Sequence, residues 1–569
     1  MCPPTAFLYY NGNILTGKDL LTDHPERIQA IAVEFSGAIT YEGTNEQASY
    51  CNIKETQKID LHGAFVMPGF NDAHTHIAYG GQQRLSVDLD NIPSLAAMQE
   101  KIHTYAATLA PSQWILGGGW DHTKWPSATL PTRQDLDAVT GDHPAYLSRT
   151  DGHIAIVNTA ALTAANITDT TLNPPGGQID RDPAGHATGI IREAPALALI
   201  EQHIPKPTTD IRRKALQLSI DDALAHGVTS VQDFSDIEDF QILQTMEHEG
   251  KLHLRIAEWM PFDLPIATLK QYQSSQPATD PWLHTTMLKA FMDGSLGSRT
   301  AAMLAPYTDD PTNSGLPRYD QTKLNQMSAE RAAAGFQLGF HAIGDRANTM
   351  ALNAFKAAND DFHRKDAAWS KKCWARQTPA QKKTTDQCFL PVPLPSRTQR
   401  FRIEHAQVLL PEDFDRFENL HVIASMQPSH LLTDMAWATD RLGPERSKYA
   451  YAWRSMLDHH ITLAFGTDYP VESINPFRGL YAAITRQNIE GTQTFHPEQK
   501  ITLNEAIYAY TQASAFAEFA ETTKGILAHG YLADFVVLDR DITKASPQEL
   551  LHTQVLRTVV GGKTQYIAP

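Results

Sequence analysis

The chain reads as an α/β protein: a (β/α)8 TIM barrel with a small β-sandwich domain built from both chain ends and a long insertion after barrel strand 1. Three observations predict it. Eight short apolar runs recur, FVMPGFNDAHTH, GVTSVQDF, HLRIAEWM, TMLKAFMDG, FQLGFHAIGD, RFRIEHAQ, HVIASMQP and ITLAFGTDYP. Helix-compatible segments such as RRKALQLSIDDALAHG and KLNQMSAERAAAG separate most of them, the alternation that builds a parallel sheet. Polar residues gather at the C-terminal ends of the runs, the end at which such barrels carry their chemistry.

Taken in order, Thr5 to about Asp60 shows short strands and tight turns, AFLYYNGNILT with an Asn-Gly signal and then IQAIAVEFSGAITYEG. GILAHGYLADFVVLDRD and VLRTVVGGKTQYI repeat that grammar at the far end. Neither end has strands enough for its own core, so residues 5–64 and 522–569 are expected to combine into one sandwich, with the barrel over 65–521. A first interruption, 78–211, is rich in Gly, Trp, Asp and His and is expected to form a lid or subdomain over the barrel mouth. A second, 359–395, is polar and lysine-rich and reads as a surface excursion, its lysines a solvated face.

Composition narrows the function. Of 569 residues, 42% are hydrophobic and 20% charged, the balance of a soluble protein with a sizeable core. A net charge of −16 argues against nucleic acid or an anionic membrane, both of which need a basic face. The four cysteines, at positions 2, 51, 373 and 388, form no CxxC, which favours a reducing compartment, and Cys373 and Cys388 read as free thiols. MCPPTAFLYYNGNIL has no positive n-region and no long apolar core, and no apolar stretch is long enough to span a bilayer. A cytoplasmic location is expected, with a small-molecule substrate as partner, no nucleic acid and no membrane; a homodimer is the assembly left open.

The strand-end groups are His74 and His76, Lys289, His341, His405 and Asp468. Residues two apart on a strand point the same way, so His74 and His76 can present two imidazoles to one point. One His-x-His means little among 24 histidines. Four imidazoles, a carboxylate and a lysine at one barrel mouth form a nitrogen and oxygen set suited to one or two zinc-class divalent metal ions. Asp72 is expected to support the site by hydrogen bonding rather than ligation.

DAHTH, LKAFMDGSLGSRTA, HAIGD, IEHAQ and GTDYPV resemble the metal motifs of the amidohydrolase superfamily. With its long first insertion, the chain is similar to the N-substituted formamide deformylase-like branch, from about Leu8 to Val560. The resemblance implies that His74 and His76 hold the more buried ion with Asp468, and that His341 and His405 hold the more exposed one. It implies that Lys289 bridges the two as N6-carboxylysine; a strand-end lysine can also be a plain ion-pair partner. Asp468 would be the catalytic base and acid, taking a proton as a metal-activated hydroxide attacks a carbonyl and delivering it to the leaving nitrogen.

For substrate contact the candidates are Trp120, Asp121, Asp151 and His153, set among glycines as a closing lid needs, or else local turn structure. Asp293 supports the site or caps a turn, and Arg299 holds a substrate carboxylate or caps a loop. The expected function is metal-dependent hydrolysis of an amide-type, non-peptide C–N bond, as in an N-formyl or N-acyl amine. The alternatives are a cyclic amide, a carbamate or an ester on the same site, metal-assisted isomerisation or decarboxylation, and a non-catalytic binding or scaffold protein.

Overall fold

Strands buried on both faces read as near-continuous apolar runs, and in the computed structural model the eight runs supply the strands of one parallel sheet. It describes residues 5–51, 55–90, 92–122, 125–127, 129–149, 154–175, 177–277, 279–376 and 398–569. The strands are Phe70–Thr75 (β1), Val228–Asp233 (β2), Arg255–Pro261 (β3), Leu283–Phe291 (β4), Gln337–Ala342 (β5), Arg402–His405 (β6), Ile423–Met426 (β7) and Leu463–Phe465 (β8). They pair in chain order. The last meets the first through a parallel bridge between Thr75 and Tyr469, flanked by Asp468 N–H to His74 O at 2.7 Å and His76 N–H to Tyr469 O at 2.8 Å. The (β/α)8 barrel is therefore present, and its C-terminal ends carry the polar groups.

The first apolar run divides at Gly69. Phe65–Pro68 pairs antiparallel with Phe535–Leu538, outside the barrel, and β1 begins at Phe70. A Cβ at Gly69 would fall 2.2 Å from Thr229 Cγ2, so only glycine lets the chain pass β2 there. A six-stranded sheet orders Lys563–Ile567, Val555–Val560, Phe535–Leu538, Phe65–Pro68, Asn13–Leu15 and Arg27–Ile28. A four-stranded sheet orders Ile39–Gly43, Ala30–Val33, Phe7–Tyr10 and Gln57–Asp60. Tyr9, Ile31 and Val33 of the smaller sheet share one core with Ile14, Val66, Phe535 and Val559 of the larger, which makes the pair a sandwich of both chain ends. Arg255, at the start of β3, forks onto Asp534 beside that sheet, Nε to Oδ2 at 2.6 Å and Nη2 to Oδ1 at 2.9 Å.

Two compact units result, Met1–Ile77 with Ile220–Pro569, and Ala78–Ser219. The second has a six-stranded sheet of its own, ordered Gln178–Arg181, Ala187–Arg192, Ile154–Val157, Ala145–Arg149, Ile115–Trp120 and Val87–Asp88. Helices Leu95–Ala106 and Arg133–Thr140 bury Met98, Ile102 and Leu136 against Trp120, Leu147 and Ile156. Its stability comes from that core.

The polar segment from 359 begins as helix: Asp345–Arg376 runs through it, supported by pairs such as Lys365 to Asp361 at 2.6 Å, and 377–397 lie outside the described residues. One expectation needs correction. Cys51 and Cys373 each take part in a disulfide, so Cys373 is not a free thiol and the argument for a reducing compartment lapses; Cys388 lies outside the described residues. Among the described residues no helix is long and apolar enough to cross a membrane.

Candidate metal centre

His74 lies wholly buried on β1, and His76 follows it at the mouth with 21% of its side chain exposed. Each has one nitrogen already committed. His74 Nδ1 stands 2.9 Å from Glu404 Oε2, and His76 Nδ1 stands 2.9 Å from Phe234 O. With the proton on Nδ1 in both rings, the Nε2 atoms carry the lone pairs and converge on Asp468 Oδ1 at 3.4 and 3.2 Å, that of His74 also lying 2.9 Å from Lys289 Nζ.

A second set shares the same carboxylate. His405, from β6, and His430, at the start of helix His430–Asp434 after β7, complete a group with Asp468. Within each set, His74–His76–Asp468 and His405–His430–Asp468, the candidate donor atoms lie within 4.8 Å of one another. His430 Nε2 is 3.6 Å from Asp468 Oδ2. His405 Nδ1 and His430 Nε2 are buried without a hydrogen-bond partner among the described residues, a costly arrangement that a cation would relieve. The donor set, two orphaned imidazole nitrogens included, fits divalent cations.

The histidines divide electrostatically: burial works against charging His76, but the hydrogen bond and charge of Asp468 outweigh it and shift it upward, whereas three others are shifted downward. Burial, reinforced by Lys289, pushes the His74 imidazole down to about 4, and burial pushes His341 down to about 3. His405 is held well below the ordinary histidine range by burial and by His341. All three are therefore neutral near pH 7, the form that ligates. Burial works against ionising Asp468, yet His74, His76 and His405 outweigh it and hold the carboxyl well below its usual range. Lys289, on β4, has its Nζ 2.9 Å from His74 Nε2, and burial takes its pKa down to about 8.

Backbone and buried partners hold these groups in place. His405 and Asp468 have left-handed φ of 73° and 58°, uncommon for residues with side chains and concentrated at functional sites. Asp72 accepts from the amides of Thr467 at 2.9 Å and His74 at 3.1 Å, tying the segment after β8 to β1, in the supporting place expected of it. Glu404 is wholly buried and forked by Arg402, whose Nε lies 2.5 Å from Oε1 and whose Nη2 lies 3.1 Å from Oε2.

The expected residues are thus partly regrouped. His341 stands beside His405, ring centroids 4.5 Å apart, but its Nε2 is 3.0 Å from Gly294 O and it joins neither converging set. His430 is the histidine grouped with His405 and Asp468. Trp120 is a core residue rather than a substrate contact: its indole is fully buried and donates to Leu147 O at 2.9 Å. Asp121 pairs with Arg149 at 2.8 Å. Asp293 is also closed to substrate, being fully buried and accepting from the amides of Ala302, Ile343 and Gly344 at 2.8 to 3.1 Å. Arg299 is held by Asp309 at 2.9 and 3.1 Å, which satisfies it as a loop tie. Asp151 and His153 lie outside the described residues. Sequence reasoning missed His430 and Glu404; the signals were a histidine two residues beyond the seventh run, in MQPSH, and a carboxylate beside a candidate ligand in IEH.

Comparison with known proteins gives the same frame. The model described as "Amidohydrolase family" matches residues 57–386 and 391–566. Protein LONG AFTER FAR-RED 3 of Arabidopsis thaliana is 32% identical, covering 90% of this chain and 84% of that protein. N-substituted formamide deformylase of Arthrobacter pascens is 24% identical over 95% of both. The crystal structure of an uncharacterized metal-dependent hydrolase from Pyrococcus horikoshii OT3 superposes with a TM-score of 0.75 at 26% identity, covering 95% of this chain and 99% of that one.

Proposed function

The chain belongs to the amidohydrolase family, and on that premise we propose that it is a hydrolase dependent on two divalent ions, acting on a non-peptide amide-type C–N bond of a small molecule, with an N-formyl or N-acyl amine as substrate. The observation that carries this reading is the pair of converging donor sets sharing Asp468, with the nitrogens of His405 and His430 buried and unpartnered. Zinc suits these nitrogen and oxygen donors. A bound divalent cation supplies Lewis acidity toward a carbonyl and lowers the pKa of water.

His74 and His76 would hold one ion and His405 and His430 the other, each together with Asp468. Asp468, ionised at neutral pH, receives the proton of the attacking water and delivers it to the leaving nitrogen, so the amine departs neutral. Lys289 is close enough to the centre to join it as a carbamate: its amine, near neutrality at about 8, adds CO2 and loses a proton to give two further oxygen donors. The name of the deformylase relative supports the N-formyl case.

The test is metal analysis of the purified full chain together with hydrolysis of an N-formyl and N-acyl amine panel, before and after chelation. Two equivalents of metal, loss of activity with the metal, and loss of about 10²-fold or more in kcat for Asp468→Asn are expected. Activity that survives both chelation and Asp468→Asn would overturn the reading.

A further inference from the structure

Two phenylalanines stand at the opening of this centre. Phe234 follows β2 directly, and Phe291 ends β4 two residues after Lys289, on the same side of the strand. Their centroids are 5.8 Å apart; Phe234 is 6.1 Å from the His76 ring and Phe291 is 5.3 Å from that of His341. Both rings stay half-buried, unlike the barrel's packing rings such as Phe340, which is fully buried. Apolar surface left to water beside a reactive centre is regained when a flat apolar ligand covers it.

Arg318 adds a charge at this opening. Its guanidinium carbon lies 5.7 Å over the Phe291 ring, and its backbone N–H donates to Met292 O at 2.8 Å, which pins the segment to the end of β4. The side chain is exposed and has no ion pair or side-chain hydrogen bond among the described residues. Asp263, beside the neighbouring Tyr319, accepts from that residue's hydroxyl at 2.6 Å and makes no ion pair with Arg318 among the described residues. Asp293, whose charge Arg318 feels, is buried and committed to three backbone amides. In a chain with 64 acidic residues, an arginine left without one beside the centre is available to an incoming anion, and a guanidinium suits a carboxylate.

We propose that Phe234 and Phe291 receive a flat, apolar part of the substrate and that Arg318 binds a carboxylate on it, so that the amines released are carboxylated and aromatic or similarly flat. The inference rests on the hydrolase reading for its substrate class; the ligand site itself is tested without hydrolysis. Calorimetric binding of 3-phenylpropionate and of 3-phenylpropan-1-ol is measured with the metal-loaded full chain and with Arg318→Gln, a surface change that leaves the core intact. The carboxylate is expected to bind about ten-fold or more tightly than the alcohol, and Arg318→Gln to remove that advantage while leaving the alcohol unchanged. No measurable binding, equal affinity for the two probes, or an unchanged carboxylate affinity in Arg318→Gln would each overturn it, the last because the carboxylate would then be held by the metal. Arg318-dependent binding in a protein that hydrolyses no N-acyl amine supports the ligand site and removes the hydrolase reading. Hydrolysis indifferent to Arg318 and to the carboxylate does the reverse.

Discussion

Two hydrogen bonds decide which nitrogen each histidine of β1 offers. Glu404 fixes the Nδ1 proton of His74, and the carbonyl of Phe234 fixes that of His76. Glu404→Gln keeps an acceptor but removes the charge that makes His74 more basic, and leaves Arg402 without its buried counter-ion. A ten- to hundred-fold weaker metal affinity is expected, read by competition with a chelator of known affinity. His430→Ala should lose one equivalent of metal and keep the one at His74 and His76; elemental analysis finding two in the variant would show that His430 is not a ligand. Glu404 and His405 also show what a sequence hides. Neighbours on a strand point to opposite faces, yet Glu404 reaches His74 and the His405 ring lies 5.0 Å from the same histidine. The left-handed backbone at His405 re-aims it, and nothing in IEH announces that turn.

At the scale of elements, the seam between β8 and β1 aligns Asp468 with His74, and Asp72 is its clasp. Asp72→Ala would strand the buried amide of Thr467 and is expected to cost about 1–3 kcal/mol, measured by denaturant unfolding, with a weaker metal affinity alongside. The eight strands were legible because burial on both faces leaves long apolar runs, and the strand-end histidines because barrel chemistry sits there. The division of FVMPGFNDAHTH was legible only in part: Pro68-Gly69 is a turn signal, but that FVMP leaves the barrel for another sheet shows only in its pairing with Phe535–Leu538 and in the close pass of β2 at Gly69. His430 was hidden for another reason. It projects from a short helix after β7 rather than from the strand, where no period points to it. Trp120 misled because glycines around an aromatic suggest a lid, whereas here they belong to a strand whose Gly117 and Gly118 lie hard against neighbouring backbone.

At the scale of the molecule, barrel and sandwich are joined through Arg255 and Asp534, 1% and 7% exposed. Asp534→Ala would leave a buried guanidinium uncompensated, with an expected loss of about 3–5 kcal/mol in unfolding free energy. Metal affinity should be unchanged in that variant, because Asp534 lies at the end of the barrel opposite the centre; a parallel loss of metal would show that the seam and the site are coupled. The insertion unit, with its own sheet and core, gives the chain a second place in which folding can begin. The sandwich has no such independence. Tyr9 donates its hydroxyl proton to the carbonyl of Gly562, a partner 553 residues further along. A ribosome adding roughly 5–20 residues per second reaches that partner about half a minute to two minutes after Tyr9. Until then the strands from the beginning of the chain have open edges and an unfilled core, so the nascent protein spends most of its synthesis in need of protection from edge-to-edge aggregation.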